Sequence, residues 1–172
     1  MHDPKRAVQG HCTLDTRRRR RMAVFLVVVA AVVVAYWVAW FADRSLVASA
    51  TSRPYVQFEE AFPTADGWLV VCLVGGALAL VRRRATAMWW LLAGVGAGVY
   101  LCAMDVTYDL EHGIWWRDAN GVVELVINVA TATISIAMGR WTWRRRSALA
   151  EAPDVGTAAL AEASTADTAA TP

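Results

Sequence analysis

The chain has 172 residues, a length that suits one domain. Hydrophobic residues make up 57% of it, which excludes a disordered chain and is unusual for a soluble one. The formal charge of +2 reports little because the charges are segregated along the sequence.

Apart from Arg44, Arg53 and Arg117, every basic residue lies on the same side of four apolar runs. The clusters are residues 17–21, residues 82–84, and Arg140 with residues 144–146; the alternate connections are acidic. This is the positive-inside pattern of a four-span membrane protein with both termini in the cytoplasm. Each cluster abuts an apolar run, so topology and lipid headgroups account for it, and nucleic acid is not an expected partner. One Lys against sixteen Arg, with abundant Ala and Val, points to a GC-rich bacterial genome. The expected location is therefore the cell (plasma or inner) membrane, as a multi-pass protein.

Residues 1–21 read as a basic cytoplasmic tail, irregular as far as residue 16. The charge-free run 22–42 would measure about 31 Å as a helix, enough to cross a hydrocarbon core of about 30 Å. A cleaved signal peptide is the rival reading, since residues 48–50 have the small-x-small form of a processing site. Against it, the run exceeds a signal core and ends in Tyr36, Trp37, Trp40 and Phe41, an interfacial anchor. In the connection 43–61, Pro54 is placed to open a short interfacial helix. Tyr55, Phe58 and Phe62 would form its apolar face, with Glu59 and Glu60 turned away. The second span is expected over 62–82, because a start at Trp68 leaves it too short. Pro63 then falls in its first turn and Asp66 at its outer end.

Residues 82–84 leave room only for a tight turn, so the second and third spans form an antiparallel hairpin. Gly75 and Ala79 in one, and Gly94 and Gly98 in the other, would let the backbones approach. The third span covers 86–108, its helix continuing to His112 with Gly113 as the cap. Asp118 and Asn120 are candidate caps for the fourth span, 121–141. From Ser147 the composition is that of a disordered cytoplasmic tail, 147–172. The expected fold is an all-α integral membrane four-helix bundle, its transmembrane domain spanning 22–146. Tryptophan placement agrees with this: Trp37, Trp40, Trp68, Trp115 and Trp116 fall at the outer interface. Trp89, Trp90, Trp141 and Trp143 fall at the inner one, leaving none at mid-span.

Cysteine offers no motif. Cys12 lies in the tail, Cys72 and Cys102 lie in apolar runs, and C-x-x-C is absent. The two intramembrane thiols are expected to stay reduced and unlinked.

Polar residues within spans are costly, so they are the candidates for chemistry. Asp66, Asp105 and Glu124 each stand sixteen residues from Arg82, Trp89 and Arg140. That is about 24 Å of helix, which gives the three carboxylates one height near the outer edge. Asp105, Tyr108, Asp109 and His112 share one helical face. Glu124, Asn128, Thr131 and Ser135 form a polar stripe that should face the bundle interior. If the two faces converge, they line an outward-opening pocket with Asp66 at its edge and Asn128 at its floor. Glu59 would be a further acid of that vestibule. Asp105 and Glu124 are expected to approach, with Asn128 or Tyr108 within hydrogen-bond reach of one of them.

No motif of known chemistry selects a function. The leading reading is an accessory, assembly or structural membrane subunit, in which the polar network fixes helix register and first-turn acids favour helix dipoles. One alternative is a small ion- or proton-coupled transporter using the carboxylate cluster. Another is a membrane enzyme acting on a lipid-like substrate, with Asp105 or Glu124 as acid and base. Enzymatic activity is the less favoured side of that choice, and no cofactor is expected. No metal is assigned; Asp105, Asp109, His112 and Glu124 are the candidates should a divalent cation bind. The expected partners are the lipid bilayer and either another membrane protein or a second copy of the chain.

Overall fold

The computed structural model of the protein describes residues 15–43, 53–117 and 119–150. The chain forms α1 (Thr16–Ala42), α2 (Arg53–Glu59), α3 (Phe62–Val81), α4 (Ala87–His112), a 3-10 turn η1 (Ile114–Trp116), α5 (Ala119–Arg144) and α6 (Arg146–Ala150). Four of these helices are long and apolar enough to cross a membrane: α1, α3, α4 and α5. The protein is an all-α, multi-pass membrane four-helix bundle.

Helix α3 packs against α1 on one side and α4 on the other, and α4 packs in turn against α5. Leu26, Leu73, Leu80, Leu91 and Met138 form the shared core. Val24, Val28 and Val32 of α1 and Val122, Val126 and Val129 of α5 are exposed instead. Acyl chains solvate such side chains as well as a protein interior does, so nothing drives them inward.

The helix ends follow from local chemistry. Asp15 accepts a hydrogen bond from the backbone N–H of Arg17 at 3.2 Å, and α1 starts there rather than at Met22. Arginine is a good helix former, so residues 17–21 extend the span instead of forming a tail. Pro63 occupies the first turn of α3, where its missing N–H is harmless. Gly113 closes α4 in the left-handed conformation (φ 63°), its N–H donating to Asp109 O. Arg83 also adopts a left-handed conformation, with φ 53°, at the hairpin between α3 and α4. The Arg84 N–H then reaches Ala79 O at 2.9 Å and closes that turn. Helix α5 overruns the expected 121–141 at both ends. Residues 147–150, expected to be irregular, lie in α6 because Leu149 is wholly buried in the core. The form at residues 48–50, the Asp118 cap and the tails 1–14 and 151–172 lie outside the described residues.

Two packing expectations need correction. A Cβ on Gly94 would touch Cys72 and Met138, but one on Gly98 would meet Ser135 Oγ of α5 at 2.5 Å. Gly98 therefore serves the α4–α5 contact, not the hairpin. The rings of Trp68 and Trp90 lie 6.5 Å apart, so they do not occupy opposite interfaces. The Trp90 indole lies against the bare backbone of Gly75, where a Cβ would come within 2.8 Å of the ring. That close seat draws the indole along α3 toward Trp68.

Candidate functional site

Helix α2 folds over the acidic end of the bundle, and its inward face differs from the expected one. Tyr55 and Glu59, one turn apart, are both buried, with Glu59 only 5% exposed. Glu59 is thus turned in, not away. Aromatic packing explains this: the Tyr55 ring lies 6.5 Å from Trp40 of α1 and 6.2 Å from Tyr108 of α4. Phe58 stacks on Tyr108 at 3.9 Å. These contacts fix the rotation of α2, and the Tyr55 side chain hydrogen-bonds Glu59.

The inward rotation brings three carboxylates together. Glu59 from α2, Asp105 from α4 and Glu124 from α5 each place an oxygen within 4.8 Å of the other two. Glu59 and Glu124 are buried and Asp105 is half-buried. Like charges at this spacing repel strongly in a low dielectric unless a proton, a cation or a donor lies among them.

One turn beyond Asp105, Asp109 is 1% exposed. Its Oδ2 accepts from Trp115 Nε1 at 2.8 Å and from Asn128 Nδ2 at 2.7 Å. Its Oδ1 is buried without a hydrogen-bond partner among the described residues. Cys102 Sγ donates to the Asn128 carbonyl at 3.5 Å, so the seam between α4 and α5 is polar at several levels. Helix α5 buries Glu124, Asn128, Ser135 and Thr142 alongside Gly121 and Met138, with Thr131 half-buried. Its valines, with Ile127 and Ile136, face outward. In this helix the polar side is the inside.

The other expected residues stand around this centre. Asp66 accepts from Trp37 Nε1 at 2.8 Å, which ties α3 to α1. Tyr108 is sandwiched between Phe58 and His112, whose ring lies 4.0 Å from it. His112 is exposed, and its Nδ1 sits 2.9 Å from Tyr108 O. Arg117 donates to the His112 carbonyl at 3.0 Å. The structure therefore gathers Asp105 and Glu124 with Glu59, and joins Asp109 to Asn128 beside them. It leaves Asp66 on the α1 side and puts Tyr108 and His112 in the aromatic rim. Glu59, an expected acid of the vestibule, becomes the third carboxylate through the packing of Tyr55, which no spacing in the sequence announces.

No known family model, curated protein or solved structure matches the chain.

Proposed function

We propose that this is a small ion-coupled protein of the bacterial inner membrane that takes up a cation at an outward-facing carboxylate site. The observation that carries the reading is the approach of Glu59, Asp105 and Glu124 oxygens to within 4.8 Å of one another. Oxygens bound to one hard cation at about 2.3–2.6 Å lie up to about 5 Å apart across the ion. Glu59, Asp105 and Glu124 are the direct ligands, and protons compete for the same oxygens. Asn128 holds Asp109 in place behind them. Asn128, Thr131 and Ser135 continue the polar row inward along α5, which supports movement of the ion over static storage. Charge alternation along the chain supports the orientation.

The test is cation binding to the purified full chain, followed with Mn2+ by its paramagnetic signal and with Ca2+ by calorimetry. E124Q and D105N should each weaken binding by about tenfold or more, as expected for loss of one charged ligand. Expression and helix content should not change. Unaltered binding in both variants defeats the reading. Tolerance of both, together with a stably co-purifying membrane protein, supports an assembly subunit instead.

A further inference from the structure

The opposite end of the bundle holds a second, differently charged site. Among the described residues Asp15 is the only acid at that end, and its side chain caps α1. Arg19, one turn further along α1, is only 8% exposed. Its Nη2 donates to the carbonyl of Ala148 in α6 at 3.2 Å, while its Nη1 has no hydrogen-bond partner among the described residues. Arg83 lies beside it from another element: its Nη2 donates to Thr16 Oγ1 at 2.9 Å, one turn before Arg19. Arg83 holds this place from a left-handed backbone position, which is unfavourable for a side chain with a Cβ. Two guanidinium groups thus share this end of α1, one of them covered by protein and, among the described residues, without an acid partner.

Burying an arginine without an acid partner is costly, and the remaining N–H adds to that cost. The depth of the pair indicates what neutralises it. Arg19 stands three residues before the charge-free run that begins at Met22, about 4.5 Å along a helix. Arg83 follows Val81, the last residue of α3, by two positions. Both sit at the level where phosphate groups of the adjoining leaflet lie. A planar guanidinium fork matches the paired oxygens of a phosphate, the commonest anionic group at that depth.

We infer that Arg19 and Arg83 form a phosphate-binding site at the cytoplasmic end of α1, covered by α6. The ligand is a tetrahedral phosphate group, carried by an anionic phospholipid or free in the cytoplasm. The site is separate from the carboxylate cluster and does not rest on it.

The experiment uses the full chain purified in a phosphate-free maltoside detergent. One arm adds phosphatidylglycerol and counts retained lipid by native mass spectrometry; the other adds inorganic phosphate and reads the thermal shift. In either arm, the wild type should bind about tenfold more tightly than R19Q or R83Q. R20Q, which removes an exposed arginine from the neighbouring position, should bind as the wild type does. Retention of the lipid assigns the phosphate to a headgroup, whereas a thermal shift with inorganic phosphate alone assigns it to a free ion. Either result, lost in R19Q and R83Q and kept in R20Q, supports the site. Equal weakening by R19Q, R83Q and R20Q would reduce it to diffuse charge attraction and overturn it. So would binding unchanged in R83Q, which reads the site independently if R19Q fails to fold.

Discussion

Asn128 donates its amide to Asp109 across 2.7 Å in the buried seam where α5 meets α4. The bond joins two helices at a level where water is scarce, and one oxygen of Asp109 already lacks a partner among the described residues. Asn128→Ala would leave the carboxylate with Trp115 as its one remaining donor among the described residues. The expected loss is about 1–3 kcal/mol, the penalty for a buried polar group deprived of a bond. Thermal unfolding in detergent measures it, and a midpoint equal to wild type would show that this bond carries no stability.

Asp66 and Trp37 give a contrasting case. Trp37→Phe keeps the ring packing but removes the donor to Asp66 Oδ2. Asp66→Asn keeps an acceptor for the indole and relieves a half-buried charge. The first substitution should destabilise by about 1–3 kcal/mol and the second by less. The reverse order in unfolding midpoints would mean the charge of Asp66, not its bond, holds α3 to α1.

Three glycines should respond differently to alanine. Gly98→Ala drives a methyl into Ser135 Oγ, a side chain that can rotate, so about 1–3 kcal/mol is expected. Gly121→Ala meets the Ile114 backbone carbonyl, which cannot rotate away, and should be the most damaging. Gly96→Ala meets nothing within 4 Å and should be neutral or stabilising by up to about 1 kcal/mol. Ranking the three by unfolding midpoint checks the helix rotations directly.

The two intramembrane thiols are free and face different neighbours. Cys72 is fully buried beside Gly94, whereas Cys102 donates to Asn128 O on α5. In native membranes a maleimide should label Cys102 slowly and Cys72 only after denaturation. Peptide mapping should find no Cys72–Cys102 link. Rapid labelling of Cys72 would show that the α3–α4 contact opens.

The spans and the cap at Gly113 were legible because long charge-free runs and a glycine after His112 have one economical interpretation in a bilayer. Rotation about each helix axis was harder to read. For α5 it was accessible, since Glu124, Asn128, Thr131 and Ser135 form a single stripe that lipid would reject. For α2 it was not: apolar Phe58 and polar Glu59 are neighbours, and an interfacial helix can turn either toward the bundle. Trp40 and Tyr108, remote in sequence, decide the outcome by packing on Tyr55. The same limit hid the meeting of Trp68 and Trp90, because depth along a helix locates a Cα and not the tip of an indole. In the sequence Arg19 is one charge in a run, and only the placement of α6 distinguishes it from its neighbours.

The inverted polarity of α5 has a consequence for biogenesis. From Met22 onward helix α1 is apolar around its whole circumference, so it can leave the insertion machinery alone and wait in lipid. Helix α5 cannot, since a carboxylate, an amide and several hydroxyls would face hydrocarbon until α4 covers them. Helices α4 and α5 must therefore be released as a pair, and the short turn through η1 keeps them together while they wait. Failure at that step would leave the polar stripe of α5 exposed to lipid in a half-inserted chain.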